Sequence, residues 1–292
     1  MNAEDLPALH RAADEVSQRE QDRFLRLQQA ELGALLASAA GGALSWHTGS
    51  INIAALVGAT ALLIAVAVRG YVATAHPERR WYDARALAES AKTLCWQYAV
   101  GGEAFHYNDE TARSRYLERM RALLEKFPHL DIPAGASPAA QLSPAVEDLR
   151  QSDRSVRQAS YRDDRVLDQQ QWYSNEANHN RKRARQWGST LFAAEGAAAL
   201  LGLLRGLGLI DVDWSGVFVT LAAAILAWRQ TKQFESLAES YSVTSHDVSA
   251  LLASIDTATS EDTWATIVHD SEAAFSREHT VWLARRQSAS QD

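Results

Sequence analysis

LGALLASAAGGALSWHTGSINIAALVGATALLIAVAV, residues 32–68, holds no Asp, Glu, Lys or Arg in 37 consecutive positions of a chain that is 22% charged overall. One helix across a hydrocarbon layer needs about 20 residues, so the stretch is too long for one span. It divides at Ser45–Ser50, SWHTGS, whose Thr-Gly-Ser is turn chemistry. The first limb, Leu32–Trp46, is short and interrupted by Gly41 and Gly42, whereas the second, Ile51–Val68, is a continuous run of Ile, Leu, Val and Ala. The pattern is that of a membrane hairpin.

A second apolar region runs from Trp187 to Trp228, again as two limbs around a polar turn, Asp211-Val212-Asp213. Its first limb carries Glu195 and Arg205 and its second, Trp214–Trp228, is free of charge. Basic residues flank both hairpins on the same side. Arg19, Arg23 and Arg26 precede the first and Arg69, Arg79, Arg80 and Arg85 follow it. Arg181, Lys182, Arg183 and Arg185 precede the second, with Arg229 and Lys232 after it. Lys and Arg beside spans are retained in the cytoplasm, so four spans with both termini cytoplasmic are expected. Trp46, Tyr71, Trp81, Trp187, Trp214 and Trp228 stand at limb ends, as interfacial aromatic belts would. The first 31 residues are too polar for a signal peptide.

Composition excludes other classes. The 292 residues carry a net charge of -7, which argues against nucleic acid as the partner. A single cysteine, Cys95, can form neither an intramolecular disulfide nor a Cys-rich zinc site. The mean hydropathy of -0.26 averages polar segments with the two apolar ones and hides them.

Outside the hairpins the pattern is helical and no stretch alternates as a strand, so the fold expected is all-α. ALAES at residues 86–90 and SLAES at 236–240, each after a hairpin, point to an internal duplication. Pro7 fits a helix start, and a capped amphipathic helix begins at Ser260 or Glu261. Four prolines between Pro128 and Pro144 break helix repeatedly. The division expected is a first domain over 1–127 (hairpin about 32–68), a Pro-rich linker over 128–144, a second domain over 145–286 (hairpin about 187–228) and a polar tail over 287–292. A long helix is expected from about Ala145 into the third span.

Candidate functional residues lie mostly in the limbs. Glu195 is an ionisable group in an apolar span, which marks a pathway unless it snorkels or pairs with Arg205. Ser38 with Ser45, seven apart, and Asn52 with Thr60, eight apart, fall near common helix faces and line an aqueous pore or act as interhelical glue. Arg181, Lys182, Arg183 and Arg185 form a basic membrane-interface group. Gly202 and Gly206 make a small-xxx-small pair. No Walker loop, dinucleotide fingerprint, His-Glu-x-x-His or Gly-x-Ser-x-Gly is present, so no enzyme, catalytic residue or cofactor is expected. His269 with Glu272, and Glu278 with His279, lack a second helix of acids to make a metal site. Gly101–Tyr107, GGEAFHY, reads as a simple connector.

YRDDRVLDQQQWYSNEANHNRKRA, leading into the second hairpin, then FESLAESYSVTSHDVSALL and TWATIVHDSEAAFSREHTVWLARR, resembles the SLATT superfamily, the two-transmembrane effector domains associated with SMODS nucleotidyltransferases and SLOG domains. The first half, with DLPALHRAADEVSQREQ before its hairpin and RRWYDARALAESAKTLCWQYAVGGEAF after it, is similar to another SLATT subfamily. The patterns Tyr161, Arg165, Gln169, Trp172, Tyr173 and Glu272, Glu278, His279, Trp282 carry most of the specificity. The resemblance implies a pore-forming effector of a bacterial conflict or antiphage system, homo-oligomeric in the bilayer and triggered by a nucleotide second messenger or a partner sensor protein. The alternative is a membrane-anchored helical sensor or scaffold without pore activity. No catalytic residue is carried over from the family.

Overall fold

A computed structural model describes the backbone of residues 1–132 and 141–289, with side chains through residue 275. Residues 133–140 of the Pro-rich linker, the end of the polar tail, and the side chains of Glu278, His279 and Trp282 lie outside the described residues. Apart from connecting turns and one ribbon of two two-residue strands, the described chain is helical, so the fold is all-α. Its helices are α1 (Ala8–Ala43), α2 (Ile53–Ala75), α3 (Pro77–Val100), α4 (Ala112–Glu125), α5 (Pro144–Gln151), α6 (Arg154–Tyr161), α7 (Asp168–Gly206), α8 (Trp214–Lys232), α9 (Phe234–Ile255) and α10 (Glu261–Ala289). A π-helical segment, Arg162–Leu167, joins α6 to α7, so helical backbone runs unbroken from Arg154 to Gly206.

The caps follow the sequence chemistry. Pro7 accepts the first backbone bond of α1, from Arg11. The Ser143 hydroxyl accepts from the Val146 N–H ahead of Pro144, and Ser260 accepts from the Thr263 N–H ahead of Glu261. The long helix starts at Arg154 and not near Ala145, because Ser152 and Asp153 adopt extended backbone and separate α5 from α6.

The chain forms two compact units. One comprises residues 1–20, 78–176 and 240–292, and the other residues 21–77 and 177–239. Each therefore draws on both halves of the sequence.

The first unit is polar outside and aromatic inside. Tyr98, Phe105 and Tyr116 stack with centroids 4.8–6.0 Å apart, and Tyr161 lies edge-on to Trp96 and Trp264. Trp81 is buried here against Tyr82, so it belongs to this core and not to an interfacial belt. The GGEAFHY segment is more than a connector. Gly102 N–H closes α3 on the Gln97 carbonyl, and Gly101, at φ 78°, lies in the left-handed region with no room for a side chain beside Arg157.

The second unit is two antiparallel hairpins of apolar helix. In the first, the predicted interruption at Gly41 and Gly42 is absent: α1 continues through both glycines to Ala43. Gly41 is instead where α1 meets α2, because a Cβ there would lie 2.7 Å from the Ala54 carbonyl oxygen and from Gly58 Cα. A Cβ on Gly58 would lie 3.0 Å from the Ser38 carbonyl oxygen. Bare backbone against bare backbone lets the helices approach more closely than any side chain permits. The turn is a short ribbon, His47–Thr48 paired with Ile51–Asn52, around Gly49 at φ 64°. In the second hairpin Ala194 of α7 packs on Ala222 and Ile225 of α8.

The two second limbs share a design that the sequence does not display. Each begins with an Asx cap, Asn52 accepting from Ala55 N–H and Asp213 from Gly216 N–H. Each ends on a non-glycine residue in the left-handed region, His76 and Gln233, the two such residues described.

Two helices are long and apolar enough to cross a membrane, Ile53–Val100 and Arg154–Gly206. Only 17% and 11% of their apolar windows are buried, unlike the core helices of a soluble protein. Of the four expected spans, α2 and the apolar end of α7 meet that length and composition, and α1 and α8 do not meet it. The apolar end of α1, residues 32–43, rises only about 18 Å at 1.5 Å per residue, against roughly 30 Å of hydrocarbon. α8 is long enough, but its 19 residues include Arg229 and Lys232.

Gly41 and Gly42 provide an internal comparison. Gly41→Ala places a methyl inside the α1–α2 contact and is expected to cost about 1–3 kcal/mol, read as a lower Tm in detergent. Gly42→Ala meets open space and should leave Tm unchanged or slightly raised. Equal effects at the two positions would contradict glycine-mediated packing.

Candidate functional site

The polar unit is organised around one carboxylate. Glu272, on α10, is fully buried and accepts four hydrogen bonds. Arg165, in the π-helical segment, donates Nε to Oε1 at 2.9 Å and Nη2 to Oε2 at 2.8 Å. Tyr161 donates its hydroxyl to Oε1 at 3.1 Å, and Thr93 of α3 donates Oγ1 to Oε2 at 2.8 Å. The Arg165 guanidinium, 1% exposed, lies 4.9 Å over the Phe275 ring.

Electrostatics follow from that arrangement. Burial alone lowers the affinity of Arg165 for its proton, but the Glu272 carboxylate outweighs it and holds the guanidinium firmly charged. Burial, and then Glu272, push the Tyr161 phenol well above its ordinary range, so it stays a neutral donor. Burial, and next the Arg165 charge, lower Lys92. The Cys95 thiol is pushed up to about 12 by burial, which makes it unreactive at neutral pH.

Two further buried arginines continue the pattern. Arg150 donates to the Tyr98, Phe105 and His106 carbonyls, and Arg157 to those of Ser152 and Val100 and to Glu261 at 2.7 Å. Trp264 also donates Nε1 to the Val100 carbonyl, 2.7 Å away. Sequence reasoning missed Arg150, Arg157 and Thr93. Sequence reasoning had no spacing signal for the two arginines, because extended Ser152 and Asp153 separate Arg150 on α5 from Arg157 on α6. It did bring forward Tyr161, Arg165 and Glu272, and the structure joins all three. With both its oxygens engaged, Glu272 is not set beside His269, whose Nδ1 is instead 4.0 Å from Glu103.

In the apolar unit the candidate residues separate. Ser38 is half-buried at the Gly58 contact. Ser45 lies past the end of α1, exposed in the turn, so it shares no helix face with Ser38. Asn52 caps α2, and Thr60 returns its hydroxyl to the Leu56 carbonyl of its own helix at 2.9 Å. Arg205 is ion-paired with Asp213 in the turn and is not the partner of Glu195. Glu195 itself is exposed on the outside of α7, with no hydrogen-bond or ion-pair partner among the described residues. Gly202 faces Ser215 across the hairpin and Gly206 faces open space, so the small pair divides between two surroundings. Arg181, Lys182, Arg183 and Arg185 are exposed on α7, one to two turns before Trp187, which packs on Trp228 at 6.4 Å.

One shallow groove of about 410 Å³ is described, on α6 and the π-helical segment, lined by Ser155, Val156, Ala159, Ser160, Asp163 and Asp164. Its two carboxylates make it a poor receptor for phosphates.

Comparison with known families gives two matches. SMODS and SLOG-associating 2TM effector domain 3 matches residues 7–158, and SMODS and SLOG-associating 2TM effector domain 1 matches residues 161–282. No curated protein and no solved structure matches the chain.

Glu272→Gln and Arg165→Met each leave a buried partner uncompensated, and each is expected to destabilise the protein by about 3–5 kcal/mol in thermal or denaturant unfolding. The double replacement Arg165→Met with Glu272→Leu removes both charges and should recover a large part of the loss. A double variant as unstable as the sum of the singles would contradict the pairing.

Proposed function

Because the chain belongs to the SLATT family, as two tandem SMODS and SLOG-associating 2TM effector domains, we propose that it oligomerises in the bacterial inner membrane and permeabilises it on a signal received by its polar helical unit. The observation that carries this reading is the exposure of Glu195. It lies eight residues past Trp187, roughly 12 Å along the helix axis, near mid-depth of a hydrocarbon layer about 30 Å thick. A charge at that depth facing lipid costs about 2.5–3.5 kcal/mol on insertion scales, so such residues face a bundle interior or water. A single copy offers Glu195 neither, and a ring of copies offers both. A ring of carboxylates in a pore favours cations.

In this reading both termini are cytoplasmic, no reaction is catalysed, and the trigger is a nucleotide second messenger or a partner sensor protein. Such signals belong with the SMODS and SLOG proteins named in the matched families, and the role follows as antiphage or conflict defence.

One observation favours the alternative, a membrane-anchored sensor or scaffold. The Asn52 and Thr60 side chains serve capping and back-bonding, and Ser38 meets Gly58 through its backbone carbonyl, so none of these contacts marks a pore lining in the first hairpin. The two readings separate in intact cells. Induced expression of the native chain, with the trigger where one is required, is expected to collapse the membrane potential. Glu195→Gln or Glu195→Ala should reduce that depolarisation at least tenfold in rate while the protein still fractionates with membranes. Depolarisation unchanged in an inserted Glu195 variant removes the residue from the mechanism; an intact potential with the inserted native chain supports the scaffold.

A further inference from the structure

We infer that the cationic collar on α7, Arg181, Lys182, Arg183 and Arg185, is a binding surface for the phosphates of anionic lipid headgroups. From Ala177 to Ala194 the chain carries these four cations and no acid. All four side chains are exposed, and none has a carboxylate partner among the described residues; Arg181 donates only to the neutral Asn178, at 3.2 Å. Successive positions turn by about 100°, so the four cations spread over about 200° of the helix circumference and do not form one narrow stripe.

Depth identifies the ligand. The Trp187–Trp228 pair, with Lys232 over the Trp228 ring at 5.9 Å, marks the interface level of the second hairpin. The collar stands two to six residues before Trp187, roughly 3–9 Å further along the axis, where headgroup phosphates lie.

The first hairpin provides the contrast. Arg69 is bound to Glu31 at 2.8 Å, Arg26 stands 3.8 Å from Asp22, and Arg23 donates to the Tyr71 hydroxyl. Those cations have partners within the protein, two of them carboxylates, whereas the α7 cations have no carboxylate partner among the described residues, so the anionic-lipid preference is assigned to the second hairpin. Juxtamembrane cations act on anionic lipid roughly additively and within a Debye length.

The inference needs the second hairpin to lie in a bilayer but not to conduct, so it stands or falls apart from pore formation. The test uses the purified full-length chain in detergent, titrated with phosphatidylglycerol, phosphatidylcholine or inorganic phosphate, with Tm as the readout. Phosphatidylglycerol is expected to stabilise at concentrations about tenfold or more below those needed for phosphatidylcholine. That preference should shrink at 1 M salt, and inorganic phosphate should have little effect. The variant R181Q/K182Q/R183Q/R185Q should lose the preference while keeping its response to phosphatidylcholine. R121Q/K126Q, which removes exposed cations from α4 and its C-cap in the polar unit, should retain it. The inference is overturned if the native chain shows no preference, if the quadruple variant keeps it, or if inorganic phosphate stabilises as well as phosphatidylglycerol.

Discussion

The polar unit depends on one buried carboxylate. Glu272 is reached by α3 through Thr93, by the end of α6 through Tyr161 and by the π-helical segment through Arg165. Thr93 belongs to the first of the two tandem domains and the other three residues to the second, so these bonds close a unit from both domains. An unpaired carboxylate in this environment would cost several kcal/mol, and the bidentate fork with two hydroxyl donors offsets that cost by filling its lone pairs. Such a network is intolerant of partial loss, which gives the contact directional specificity that the aromatic packing around it lacks.

The apolar unit is held by the opposite principle. There, contact is made by the absence of side chains: Gly41 on Gly58, and Ala194 on Ala222 and Ile225. Lipid tails are as apolar as leucine, so no hydrophobic gain separates protein from bilayer and close packing of small residues has to supply the cohesion. The large side chains accordingly point outward. Phe192 is 78% exposed and Leu63 70%, values that suit hydrocarbon and not water.

Much of this was legible in the sequence, for identifiable reasons. Charge-free runs and their turns carry strong local signals, and so does the cap at Ser260. The meaning of glycine was not legible: Gly41 and Gly42 are neighbours of identical chemistry, yet one is a contact and the other faces open space. The GGEAFHY segment hid its role for the same reason, since burial of Gly101 and Gly102 depends on Arg157 and Val268, distant in the chain. Ser38 with Ser45 failed because a helix-face argument holds only while the helix lasts, and α1 ends at Ala43. The Tyr161, Arg165 and Glu272 patterns drew attention as resemblance, and their physical content, one hydrogen-bonded cluster, needed the fold.

The backbone passes between the two units four times, at 20/21, 77/78, 176/177 and 239/240. The first, third and fourth of these fall inside α1, α7 and α9. A helix interior transmits displacement better than a loop, because each residue is tied to the next turn by a backbone hydrogen bond. The Arg154–Gly206 helix is the most informative case: Arg165 stands in its π-helical turn, the cationic collar follows the crossing, and Glu195 lies within the apolar end. A π-helical turn is a local excess of one residue that a helix can relocate or absorb, and such turns recur at functional positions. The buried ion pair that closes the polar unit and the unpaired carboxylate of the apolar unit are thus two ionisable features of one unbroken helix.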